Sequence, residues 1–172
     1  MKDDFVMPIL VLTLICLLVS AALSVTNNVT APIITTAEAG RAEAARYEMI
    51  PEADDFEGIV AEGLPATIRE AYKSTNDVGY VFMVTAKGYG GDMVIICAID
   101  ADGKMIRCHA LEISETKGLG SKVSEAPFED QFIGIDSRLE GISGITGATI
   151  STNAYLGAIR DAFAAFGIVS GS

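Results

Sequence analysis

Apolar residues run unbroken through the first part of the chain and give way to alternation further on. Residues 5–25 contain no charged side chain. As a helix rising ~1.5 Å per residue they would span roughly 31 Å, the hydrocarbon thickness of a bilayer. A transmembrane anchor is the expectation. A cleaved signal peptide is the alternative, since Ser20-Ala21-Ala22 is faintly like a small-residue cleavage site. Residues 26–34 turn polar and then apolar, with Pro32 as a break, and read as the exit from the membrane. Residues 35–47, rich in Ala, Glu and Arg, predict a stalk helix. An acidic turn at 51–56, a short strand at 59–61 and a turn at 76–78 follow, with 64–72 readable as strand or helix. Three β-rich runs, 79–86, 92–99 and 104–113, are then separated by Tyr89-Gly90-Gly91 and by Asp100-Ala101-Asp102-Gly103. Three sequential antiparallel strands are the simplest topology. Residues 123–132 predict a helix with Ser124 as N-cap, Pro127 in the first turn and Phe128 and Phe132 on one side. Residues 154–166 predict a second, its core stripe being Ala154, Leu156, Ile159, Ala162, Phe163 and Phe166.

The second hairpin bears on the cysteines. A two-residue Asp102-Gly103 loop would set Cys97 opposite Cys108, close enough for a disulfide; a four-residue loop would part them. Two buried free thiols are the plainer expectation. With three cysteines in all and no Cys-x-x-Cys, an iron–sulfur cluster lacks its ligands. The formal net charge of −11 makes nucleic acid and anionic lipid head groups poor partners. His109, the single histidine, reads as structural or exposed. Asp54-Asp55 and Glu129-Asp130 read as solvated faces. There is no Ser-His-Asp set, no metal-ligand cluster and no Walker loop, so neither a catalytic residue of the chain's own nor a metal site is expected.

One stretch carries chemistry. Ser143 to Asn153 is a glycine-broken run of hydroxyls leading into the last helical pattern. A helix N-terminus offers unpaired N–H groups and the positive end of the dipole, which favour a phosphate. Gly147 and Ala148 leave Thr149 unshielded, and Ser151, Thr152 and Asn153 can each serve as N-cap. Thr146-Gly147-Ala148-Thr149 resembles the [Ser/Thr]-Gly-Ala-Thr flavinylation motif of the FMN-binding domain of Rnf-type and Nqr-type respiratory complexes. Glu115-Thr116-Lys117-Gly118-Leu119-Gly120 is similar to the Glu-Thr-Pro-Gly-Leu-Gly loop of the same family, and Gln131-Phe132-Ile133-Gly134 also has its look.

The resemblance covers roughly residues 79–168, and the anchor before it fits the family's layout. It implies FMN joined by a phosphoester to Thr149, with Thr146, Gly147, Ala148 and Ser151 around the attachment. It also implies a flavin ring lying against Glu115, Thr116, Lys117, Gly118, Leu119 and Gly120. Gly118 and Gly120 would supply positive φ and close approach. Lys117, standing where the family usually has proline, adds a cation that would favour reduced flavin anions. The expected fold class is α+β: a single transmembrane helix (1–26), a linker and stalk helix (27–50), and one FMN-binding domain (51–172) with an antiparallel sheet and flanking helices. The implied function is that of a membrane-anchored electron carrier, a subunit of an ion-translocating ferredoxin:NAD oxidoreductase of the Rnf type. Its implied partners are the other membrane and peripheral subunits and, during maturation, a flavin transferase. The soluble part is more like the G subunits of Rnf complexes than the larger C subunits of sodium-pumping NADH:quinone reductases. That alternative, and a cofactor-free anchored assembly domain, remain open. Lys2 and the α-amino group precede the span and the next basic residue is Arg41, so the N-terminus is expected in the cytoplasm and the FMN domain on the extracytoplasmic side of the cell membrane.

Overall fold

The computed structural model describes residues 3–171; Lys2, which bears on orientation, lies outside them. Its contacts divide the chain between Ala44 and Ala45. The first unit is helix: α1 runs Asp3–Met49, and the part from Val6 is long and apolar enough to cross a membrane. Pro32 does not break it, and Pro8 also lies inside. A proline removes one backbone bond and can bend a helix without ending it where other groups compensate. Separately, the hydroxyls of Thr13, Thr26, Thr30 and Thr36 each donate to the carbonyl four residues back at 2.8–2.9 Å, which turns these polar groups inward onto the helix's own backbone; none of them reaches the carbonyls of Asp4 and Asn28 that the prolines leave free.

The second unit is built on one antiparallel sheet in simple order β1-β2-β3-β4-β5. The strands are β1 (Phe56–Gly58), β2 (Ile68–Ser74), β3 (Gly79–Lys87), β4 (Asp92–Asp100) and β5 (Met105–Ile113). The three β-rich runs stand where alternation and turn residues put them. The expected strand at 59–61 is absent: β1 ends at Gly58, and only the Ile59 N–H continues the pairing, to Ala71 O at 2.7 Å. The undecided stretch 64–72 resolves into β2, beginning at Ile68 after Pro65 accepts the Ile68 N–H.

β4 is buried along nearly its whole length. Its Ile95, Cys97 and Ile99 join Phe82, Val84, Met105 and Cys108 against α3 (Thr149–Ser170). The alternate residues Val81, Met83, Val94, Ile96 and Ala98 are buried on the other face. There Ile50, just past the end of α1, places its Cδ1 3.2 Å from where a Cβ on Gly79 would stand. Tyr155 of α3 is fully buried and meets Phe128 and Phe132 with ring centroids 5.3 and 5.6 Å away. The expected stripe on this helix omitted Tyr155; Ala154, Leu156 and Phe166 are only partly buried.

The β4–β5 hairpin loop is longer than two residues. Asp100 N–H donates to Lys104 O at 2.8 Å, and Gly103 takes φ +80°. A bulge between Ala98 and Ile99 then restores the register, so Cys97 still faces Cys108. Both are free, buried thiols. Burial raises the Cys97 pKa and pushes that of Cys108 up to about 12, so neither offers a thiolate at neutral pH.

Residues 120–132 are not one helix. A 3-10 turn (Gly120–Ser124), the four-residue α2 (Ala126–Glu129) and a second 3-10 turn (Asp130–Phe132) follow one another. Ser124 is not the N-cap: Glu125 holds that position, and the Ser124 hydroxyl donates to Ser121 O. This segment covers the outer rim of β5. Met105 N–H donates to Ile135 O, Gly134 N–H donates to Met105 O, and Ala110 N–H donates to Glu129 Oε1 at 2.8 Å. Glu129 is therefore buried rather than solvated. Its other oxygen lies 2.8 Å from His109 Nδ1, and the Tyr155 hydroxyl lies 3.3 Å from Oε1. An acidic pair at a predicted helix end looks exposed; an edge strand with an unpaired amide draws one of them inward. His109 is half-exposed and held in place by that carboxylate.

Candidate functional site

The β3–β4 turn, the exit of β5 and the start of α3 meet at one end of the sheet and enclose a cavity of about 420 Å³. Such a volume suits a small-molecule site. The β5 exit contributes Glu115, Thr116, Leu119 and Gly120, the start of α3 contributes Gly147, Ala148, Thr149, Ile150 and Ser151, and the turn contributes Tyr89.

The acceptor loop is closed by its own hydrogen bonds. Ala148 N–H donates to Ile145 O at 3.0 Å, and Ile145 N–H donates to Thr152 Oγ1 at 3.2 Å. Gln131 fixes the loop's entry, its Oε1 accepting the Ser143 N–H at 2.9 Å. Gly147 takes φ +85°, and a Cβ there would stand 3.1 Å from Leu119 Cδ1, so the residue serves both the turn and the packing of the two loops.

α3 begins five residues earlier than the apolar period suggested. Ala148 is its N-cap and makes no side-chain capping bond. Ser151, Thr152 and Asn153 lie within the helix instead of capping it; Ser151 and Thr152 are buried there. Thr149 is the first helical residue, and it is exposed. Its hydroxyl thus stands in the turn where backbone N–H groups precede the helix's own ladder and the dipole is positive. A phosphate esterified there would meet those donors at once.

Loop 115–120 is shaped by two glycines for different reasons. Gly118 takes φ +77°, as expected. Gly120 has no positive φ; it is needed for space, because a Cβ would collide with the Glu115 carboxylate and come within 2.9 Å of Ser151 Oγ. Of the residues named from sequence, Glu115, Thr116, Leu119, Gly120, Gly147, Ala148, Thr149 and Ser151 line the cavity. Thr146, Lys117 and Gly118 are exposed beside it and do not. Tyr89 and Ile150 were missed. An aromatic residue inside a glycine turn, and a lone apolar residue among hydroxyls, were the signals available. With Leu119 they give the cavity exposed apolar surface for a flat ring.

A second cavity, of about 380 Å³, lies by β5 and α2 and is bordered by Arg107, His109 and Glu129. The helix that starts there, α2, is only four residues long, and the Ser124 hydroxyl beside it is already donated to Ser121 O.

Residues 88–164 match the FMN-binding domain family. Over 88% of this chain and 86% of the relative, the sequence is 30% identical to the G subunit of the Na(+)-translocating ferredoxin:NAD(+) oxidoreductase complex of Acetobacterium woodii. It is 25% identical to the G subunit of the proton-translocating ferredoxin:NAD(+) oxidoreductase complex of Clostridium ljungdahlii, over 88% of this chain and 85% of that one. It is 28% identical to the G subunit of the ion-translocating oxidoreductase complex of Methanosarcina acetivorans, over 90% of both.

Proposed function

Since this chain belongs to the family of G subunits of ion-translocating oxidoreductase complexes, we propose that it is a membrane-anchored electron carrier whose FMN is joined through its phosphate to the Thr149 hydroxyl. The observation that carries the attachment is the place of Thr149: exposed, first in a 22-residue helix, and at the mouth of a glycine-lined cavity. Thr149 supplies the ester oxygen. The first-turn amides of α3 would hold the phosphate, and Tyr89, Leu119 and Ile150 would offer the ring apolar surface. FMN, when bound, supplies the electron transfer, which no side chain of this chain provides. The loading reaction needs a flavin transferase with FAD as donor: the Thr149 oxygen bonds to the FMN phosphorus, the pyrophosphate link breaks, AMP leaves and the hydroxyl proton is released.

The complex served moves electrons between ferredoxin and NAD and couples this to ion transport, and the other subunits of that complex are the partners. Intact mass spectrometry of protein made together with the transferase tests the attachment. One FMN less one water should be added, on the peptide containing Thr149. An unmodified mass with active transferase present would overturn it.

We infer that the domain lies on the extracytoplasmic side because no basic residue follows the span until Arg41. Val60 is fully exposed in the loop after β1. A Val60→Cys chain in intact cells should react with a membrane-impermeant maleimide. Cys97 and Cys108 stay silent because they are buried and protonated, and Cys16 because it lies in the span. Labelling only after the cells are broken would reverse the orientation.

A further inference from the structure

Glu115 was expected to touch the cofactor, yet both of its carboxylate oxygens are engaged elsewhere. Oε1 accepts the Tyr89 N–H at 2.8 Å and Oε2 accepts the Gly90 N–H at 3.3 Å. These are consecutive amides at the tip of the β3–β4 turn, and a carboxylate is the strongest acceptor a protein can set against them. The surroundings are cut to admit it. A Cβ on Gly88 or Gly120 would collide with the Glu115 carboxylate, and one on Gly90 would collide with the Ser114 carbonyl oxygen. Across the turn, Gly88 N–H donates to Gly91 O at 2.8 Å. The turn is therefore fastened to the β5 exit by a side chain, at the position whose own side chain, Tyr89, lines the Thr149 cavity while remaining 73% exposed.

An exposed tyrosine on a glycine turn would ordinarily sample many directions, since glycine leaves the backbone free. Here the amides on both sides of the Tyr89 Cα are held, which restrains its φ and ψ and hence the Cα–Cβ direction, leaving mainly the side-chain rotors. We propose that Glu115 is a positioning residue: by holding the Tyr89 and Gly90 amides it sets the Tyr89 ring as the wall against which the flat ring of the cofactor lies. This rests on the FMN reading above and deepens it, giving Glu115, which lines the cavity, a second role as the support of Tyr89.

Two measurements separate the inference from its premise. In the Thr149→Val chain, which carries no attached flavin, Glu115→Ala should speed deuterium exchange at the Tyr89 and Gly90 amides roughly 10- to 100-fold, the effect of losing a hydrogen bond to a charged group. Amides in the middle of β4 should keep their wild-type rates. In the flavin-loaded protein, an electron-rich phenol against the flavin quenches its emission. Tyr89→Leu should therefore brighten the folded protein relative to the same sample in denaturant, and Glu115→Ala should brighten it too. The double variant should be no brighter than Tyr89→Leu alone, and Tyr89→Trp should stay dim. Glu115→Gln, which turns a donor toward one of the two amides, should give the same direction if the alanine chain folds poorly. Unchanged amide exchange, or unchanged emission in a loaded Tyr89→Leu chain, overturns the inference while leaving the flavin reading intact. A wild-type chain that takes up no flavin overturns both, and the amide rates then show whether the clamp itself exists.

Discussion

Thr149→Val is expected to leave the protein dark. Boiled in detergent and run on a denaturing gel under ultraviolet light, wild-type chain made with the transferase should fluoresce, and the valine chain should show no band. Valine keeps the shape of threonine and deletes the one oxygen on which the ester depends. The change is also mild for the fold. Thr149 is exposed in the first helical turn, and α3 draws no side-chain cap from its neighbours, so stability should move by less than about 0.5 kcal/mol. Loss of flavin with an unchanged melting curve would therefore report lost attachment, not lost structure. Thr146→Val is the companion. Thr146 is exposed three residues earlier and does not line the cavity, so flavin should be retained in part. A fluorescent Thr149→Val band, or complete loss in both chains, would mean that the acceptor has been misplaced.

The second large effect is on folding. Phe132 is fully buried and packs edge-to-face on Phe128 at 5.4 Å and against Tyr155 at 5.6 Å. Phe132→Ala should cost about 3–5 kcal/mol, the transfer of the ring plus the cavity left behind. For a domain of this size that is a fall in melting temperature of roughly 10–20 °C. Tyr155→Phe keeps the ring and removes only the hydroxyl that lies by Glu129 and Cys108, so it should cost about 1 kcal/mol. Calorimetry of the two, with urea titration as a second probe, separates packing from hydrogen bonding. If Phe132→Ala unfolds within about 1 kcal/mol of wild type, the three rings are not where the domain's packing energy resides. The neighbouring Gln131 ties Ser143 to this segment, so the Phe132→Ala chain should also load flavin poorly well below its melting point.

The meander was legible because three things coincided: alternation, β-branched residues and glycine-bearing turns between them. Cys97 came out opposite Cys108 by a different route than expected, a longer loop offset by a bulge, and nothing local in the sequence announces a bulge. The start of α3 was read too late for a reason in the residues themselves. Thr149, Ser151 and Thr152 are types that favour caps in isolation, yet here burial of Ser151 and Thr152 and a bond from Ile145 N–H to Thr152 draw them into the helix. Glu129 and Tyr155 were opaque for a shared cause. Each looks amphipathic or solvated alone, and their burial becomes sensible only once β5 is known to be the rim of the sheet. The candidate site was legible where short motifs carried it, at 115–120 and 146–149. Tyr89 was not, because its role depends on a turn brought there from another part of the chain.

The covered rim of β5 limits how this domain can be joined to others. One flank of the sheet is already closed by Glu129, Gly134 and Ile135, and the opposite flank, β1, is only three residues long. Neither offers the run of open backbone that an incoming strand would need. Contacts with neighbouring proteins are then expected to rest on side chains more than on strand addition, so that the domain can be crowded beside them without its sheet growing into theirs.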